Sequence, residues 1–191
     1  MFKSKITVKE LFGQVKADAD IAAQISDASM MLWYNSLMRS LYLDIIKSVK
    51  AVSADVNDAG SIIGFPIEAI KRIVFEGLPE LERVSALFAA GTERPVWYAL
   101  DEQTVAVKNV DSQGECTVYM YELPSYITST TTSSEYVPLP DNFVELAKYK
   151  LLAEMYNAAN DDVLSAKYFG FYNARLSDFT LWILQNAPSM K

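Results

Sequence analysis

Apolar residues recur every three or four positions through the last quarter of the chain, from Val137 to Leu184, and this spacing predicts two helices joined by a short polar turn. Phe143, Ala147, Leu151 and Met155 repeat at four-residue intervals, with Leu146, Tyr149, Ala153 and Tyr156 beside them. A stripe that wide is buried on more than one side. Pro140 suits the first turn of the first helix, where its missing N–H costs nothing. Asp141 and Glu145 sit near the positive end of the helix dipole. Asn160-Asp161-Asp162 supplies the turn and the next cap. In the second helix Tyr168, Tyr172, Leu176, Phe179 and Ile183 form one seam. Phe169, Phe171 and Trp182 lie off that seam, where a two-helix contact cannot cover them, and need the spine helix or another chain. Gly170 costs the helix about 1 kcal/mol against Ala, and allows a close helix approach.

The first third is also helical in pattern. Thr7-Val8-Lys9-Glu10 has the form of a capping box. It predicts a helix from Val8 to about Lys16 with Leu11, Phe12 and Val15 on its apolar face. Asp18 and Asp20 follow in a connection that reads as a solvated turn rather than a cation site. The longest predicted helix runs from Asp27 to Ala54, at about 28 residues longer than most globular helices. Leu37, Leu41, Ile45, Val49 and Val52 form one stripe of it, and Tyr34, Met38, Tyr42 and Ile46 its neighbour. Asn35 and Arg39, four apart, are expected to face away from that stripe. This helix is the expected spine for the C-terminal pair.

A helix stop and loop follow from Asp55, closed by Gly60 and Gly64, and the period changes from Gly64 to Tyr126. Asp55-Val56-Asn57-Asp58-Ala59-Gly60 imitates the start of a calcium loop, but the twelfth position is Pro66 where a bidentate Glu is required. Gly60 and Gly64 fit neither a dinucleotide-binding nor a phosphate-loop pattern. Ile70–Phe75 and Leu81–Leu87 carry short apolar runs. Val96–Leu100, Thr104–Lys108 and Cys116–Glu122 read as successive strands with turns at Asp101–Gln103 and Asp111–Gly114, ended by Pro124. The expectation is an antiparallel β-meander. In the third strand Cys116, Val118, Met120 and Glu122 share one face, and Tyr119 and Tyr121 the other. Thr128 to Ser134 is then a run of seven hydroxyl residues, which cannot build a core. It predicts an exposed loop, or an arm that orders along a neighbouring sheet edge.

The predicted fold class is therefore α+β, mainly α. It is a single domain over 1–191, with helical parts at 7–58 and 139–185, a β-rich insertion at 65–126 and a flexible arm at 125–137. At 191 residues and 51% hydrophobic, the chain can bury a core without staples. The one cysteine excludes an internal disulfide framework and fits synthesis in a reducing cytoplasm. Met1–Lys5 does not open a signal-peptide pattern, and no uncharged stretch of about 20 residues predicts a membrane span. The net charge of −7, from 24 acidic and 17 basic residues, makes a poor general phosphate-binding surface. Histidine is absent, which excludes the commonest general base and metal ligand. Cys116 has no base to activate it and reads as a packing residue. No catalytic, cofactor-binding or metal-ligating constellation is expected.

The packing pattern carries a resemblance. Leu139, Pro140, Phe143, Leu146, Tyr149 and Leu151, then Tyr156, Ala158 and Asp161, then Tyr168, Tyr172, Leu176 and Phe179 resemble the closing helix pair of head–tail adaptor (connector) proteins of tailed bacteriophages. The N-terminal TVKELFGQV…LWYNSLMRSLY, with Trp33 and Asn35 at the aromatic–Asn position, is similar to the opening helices of that family. The strands from Phe65 to Pro124 are similar to its aromatic-rich middle. The resemblance implies a structural virion protein at the head–tail interface and not an enzyme. It implies partners in further copies of itself, as a closed ring of about twelve, in the portal, and in a tail or stopper protein. DNA would pass through the channel without specific binding, helped by an acidic lumen that repels phosphate; no cofactor and no membrane are implied. Gln185–Lys191 is short for a tail that grips the portal, so the surface around Trp182 or the Ser/Thr arm is expected to substitute. The candidate interface residues are Thr128, Thr130, Thr131, Thr132, Phe169, Phe171 and Trp182. Two other classes stand beside this one: a small intracellular ligand- or peptide-binding module with a groove at Trp97 and Tyr98, and an enzyme working with carboxylates alone.

Overall fold

The computed structural model describes residues 2–110, 114–129 and 134–186. The chain is α+β and divides into two compact units, Met1–Ile46 with Pro124–Lys191, and Lys47–Leu123. The expected turn at Asp111–Gln113, the hydroxyl residues 130–133 and the tail 187–191 lie outside the described residues.

The first unit is helical. Helix α1 (Val8–Asp18) starts at the predicted capping box: the Glu10 N–H donates to Thr7 Oγ1, and the Thr7 N–H donates to the Glu10 carboxylate at 2.8 Å. Those bonds hold the Glu10 carboxyl below its usual range. Val8, Leu11, Phe12 and Val15 are buried. Helix α2 (Asp27–Ser40) continues through a π-helical turn at Leu41–Ile46, where the Tyr42 hydroxyl donates to the Pro138 carbonyl at 2.9 Å. Helices α4 (Val144–Ala158) and α5 (Asp162–Asn186) form an antiparallel hairpin. Asn160 turns it in the left-handed region (φ 60°), and Asp161 caps α5 by accepting from the Leu164 N–H. The predicted α4 stripe is buried as expected, from Phe143 to Met155. Ser165, buried at the crossing, donates to the Ala153 carbonyl.

The second unit holds every named strand. Strands β1 (Val49–Asp55), β7 (Glu115–Tyr121) and β3 (Ile70–Phe75) form one antiparallel sheet with β7 in the centre. A second sheet has the order β2 (Ser61–Ile63), β6 (Thr104–Lys108), β5 (Val96–Ala99), β4 (Glu82–Arg83). Helix α3 (Ala86–Gly91) is capped by Ser85. One cluster joins the two sheets, including Ile62, Ile73, Phe75, Trp97, Val105, Cys116 and Val118.

Two expectations are corrected. The spine helix does not run to Ala54. It ends at Ile46, Lys47 turns the chain at φ 52°, and Val49–Asp55 is a strand. Val49 and Val52 continue the helical spacing of Leu37, Leu41 and Ile45, which is why the periodicity reads through. β-Branched residues beside an apolar strand in need of an edge partner favour pairing with β7 instead. The helical part therefore stops near 46, not 58, and the β-rich part begins at 49, not 65. The single meander is the second correction. β5 and β6 are the expected hairpin, but β7 leaves them and pairs with β1 and β3. Its predicted faces hold: Cys116, Val118 and Met120 are buried, while Tyr119 is half-buried with the Arg72 guanidinium 4.0 Å from its ring centre.

Candidate assembly surface

The α4–α5 hairpin places most of the candidate aromatic residues. Phe179, fully buried, lies 5.0 Å from Phe143, ring centre to ring centre. Trp182 packs on Phe143 at 5.6 Å and on Phe2 at 5.7 Å. Phe169 is half-buried under the Lys150 ammonium, 4.4 Å from its ring centre. Phe171 touches Tyr149 at 5.4 Å and Tyr168 at 6.1 Å yet stays 45% exposed. Each of the three off-seam aromatics thus has a partner inside its own chain, and Phe171 has the most surface to spare. Thr128 is exposed; Thr130, Thr131 and Thr132 lie outside the described residues.

Opposite its buried seam α5 presents a face that sequence reading did not single out. Val163, Ala166, Gly170, Ala174, Ser177, Leu181 and Leu184 are all exposed, at spacings of three or four. None carries a charge, and Val163 and Leu184 are 80% and 75% exposed. The charges of the helix lie beside this face or are engaged elsewhere. Arg175 bonds Glu145 at 2.9 Å, which raises its already high pKa, and it pairs with Asp178 at 3.7 Å. The large apolar side chains of this face are Val163, Leu181 and Leu184, with small residues between them. Counting the seam alone missed it, because small residues at helical spacing score weakly as a stripe.

Other predicted residues resolve into structure. Asp18 pairs with Lys148 at 2.6 Å, and Asp20 accepts from the Tyr156 hydroxyl at 2.9 Å. Burial and then that bond push the Tyr156 hydroxyl up to about 12. Asn57 accepts from the N–H groups of Ala59 and Ser61, so the calcium-like loop is an ordinary Asx-type turn. Among the described residues no group of three His, Cys, Asp or Glu could hold a metal ion. Burial pushes the Cys116 thiol up to about 11, away from thiolate chemistry. Trp97 is 1% exposed with the Arg83 guanidinium over its ring, so it is core and cannot line an open groove. No described helix is long and apolar enough to cross a membrane.

Asn35 does not face away from the apolar stripe as its helical position predicts. It is 7% exposed and faces inward. Its Nδ2 donates to the Ile127 carbonyl, and its Oδ1 accepts from the Ile127 N–H, both at 2.9 Å. A side chain there completes one rung of a β-ladder. At the other end of the hydroxyl-rich segment the Val8 N–H donates to the Glu135 carbonyl, the Val137 N–H donates to the Ile6 carbonyl, and Thr7 bridges Tyr136. Both ends of the arm are therefore fixed. Arg39 is exposed, as expected.

No curated protein matches this chain. The sequence profile of the SU10 adaptor protein family matches residues 6–189, which takes in both compact units. That span agrees with the phage head–tail adaptor pattern of the C-terminal helix pair, and the chain belongs to the SU10 adaptor protein family.

Proposed function

We propose that this chain is a structural virion protein: a head–tail adaptor that assembles as a ring on the portal vertex, extends the DNA channel and gives tail components their attachment platform. Family membership over nearly the whole chain is the observation that carries this reading. The uncharged face of α5 supports it, because Val163, Leu181 and Leu184 with small residues between them suit burial against a further copy, which a closed ring supplies at every step. The family resemblance implies a ring of about twelve copies, closed by heterologous contacts. The net charge of −7 suits a channel that must let a phosphate backbone slide. Phe171, Trp182, Phe169 and the arm at Thr128–Thr132 are the remaining candidate contacts to neighbour, portal or tail.

The test is the mass of the chain in solution, alone and mixed with the portal protein encoded beside it, followed by negative-stain imaging. A ring, or a monomer that becomes one on the portal, is the expected result. A monomer that ignores the portal at micromolar concentration refutes it. Leu181→Glu combined with Leu184→Glu should leave a folded chain that no longer assembles, if the α5 face is buried in the ring.

A further inference from the structure

Strand β1 is a seven-residue strand that pairs on one side only among the described residues. Its phase follows from its ends: the Glu122 N–H donates to the Ser48 carbonyl, and the Val56 N–H to the Gly114 carbonyl. Even-numbered residues therefore bond β7, and Val49, Ala51, Ser53 and Asp55 aim their N–H and C=O groups outward. Among the described residues no backbone hydrogen bond reaches those groups. The opposite edge of the same sheet is different, since Leu81 and Leu78 donate to the carbonyls of Ile73 and Phe75. The usual protections are also missing from the middle of β1, between Lys50 and Asp55. It has no proline and no bulge, its register with β7 is unbroken, and Ala51 to Ala54 carry no charge.

The chain also contains a matching half-strand. Ile127 turns its backbone groups toward Asn35, so the flanking Tyr126 and Thr128 turn theirs the other way. Neither backbone is hydrogen-bonded among the described residues, and both side chains are exposed, Tyr126 by 63%. Asn35 thus meets one side of this short segment and leaves the backbone groups of Tyr126 and Thr128 without a hydrogen bond among the described residues.

We infer that β1 of one copy is extended by the Ser125–Ser129 segment of a second copy, as an added fourth strand of the β1-β7-β3 sheet. This rests on the assembly reading above and names the contact. The match is one of backbone groups: two rows of outward donors and acceptors, alternate residues on each, with no charge on Ala51–Ala54 or on Ser125–Ser129 to oppose the approach. The two edges differ, so the contact is heterologous. It leaves the open backbone side of Tyr126 and Thr128 on one copy and the β1 edge on the other, and propagates around a ring rather than stopping at a pair.

The experiment uses the full chain under the condition, alone or on the portal, in which the wild type assembles. Ser53→Pro removes one outward N–H without touching the bonds to β7, a placement that edge strands tolerate. It should keep the wild-type circular dichroism and melting temperature while weakening association by roughly tenfold or more. Because a proline could disturb the strand, a second measurement stands beside it. Copies carrying Ser53→Cys are mixed with copies carrying Thr128→Cys, both in a Cys116→Ala background, and treated with a short bismaleimide. Cross-links between the two kinds of copy, and none within either kind alone, are expected. Cross-linking of Ser53→Cys copies to each other would instead mean β1–β1 pairing and overturn the inference. So would a Ser53→Pro chain that assembles like wild type while the Leu181→Glu/Leu184→Glu chain does not, an outcome that leaves the assembly reading standing. A wild type that assembles under neither condition overturns both.

Discussion

Asn35 should be worth more to this fold than any other exposed-or-buried polar side chain of the helical unit, and the reason is countable. It answers both backbone groups of Ile127, whose own side chain is 5% exposed. Asn35→Ala leaves one N–H and one C=O without partners where water has little access. An unmet buried polar group costs about 1–3 kcal/mol, and partial relaxation reduces the pair to a total of about 2–4 kcal/mol. For a chain of this size that lowers the melting temperature by about 5–15 °C. Urea and thermal unfolding followed by circular dichroism measure the loss, and hydrogen exchange should show the Ile127 amide losing its protection. Asn35→Asp separates hydrogen bonding from packing. The carboxylate still accepts from the Ile127 N–H, but its second oxygen faces the Ile127 carbonyl. Burial and that repulsion raise its folded pKa above the ordinary value of about 3.9. The penalty is then full at neutral pH and shrinks as pH falls through the raised folded pKa, when the acid can donate to the carbonyl. An Asn35→Ala loss under about 0.5 kcal/mol, the level of a neutral surface change, would refute the account. So would an Asn35→Asp penalty that does not change with pH.

The aromatic hairpin and the alkaline limb provide further checks. Phe179→Ala, at a fully buried position against Phe143, should cost about 3–5 kcal/mol in urea unfolding. Phe171→Ala, on the 45% exposed ring, should cost less than about 1 kcal/mol yet weaken assembly if that ring is an interface residue. Burial raises the folded pKa values of Cys116, to about 11, and Tyr156, to about 12, above their ordinary values of 9.0 and 10.0. The unfolded chain therefore releases these protons first, and stability should be unchanged at neutral pH and fall progressively from about pH 9 to pH 12. Cys116→Ala should remove the earlier part of that fall, which melting temperatures across an alkaline pH series would show.

Much of this protein was legible because local chemistry decided it. The capping box at Thr7 and Glu10 needs only its own four residues, and the structure has both bonds. The α4 stripe and the Asn160–Asp162 turn are statements about helical period and cap chemistry, and both stand as read. The packing residues of that hairpin also sufficed for the family resemblance that the match over 6–189 bears out. The absence of histidine ruled out mechanisms without any coordinates.

What failed to read was everything that depends on a distant partner. Val49 and Val52 fit a helical stripe and a strand equally well; β7, about seventy residues away in the chain, decides for the strand. β7 itself looked like the third strand of a meander because neighbours in sequence usually pair, yet its two edges are taken by β1 and β3. Asn35 looked outward because a polar residue in a helix ordinarily is, until Ile127 supplied a backbone for it to complete. Period and caps belong to the residues that display them. Pairing, register and the satisfaction of buried polar groups belong to pairs, and a pair is settled only when the chain has brought its two members together.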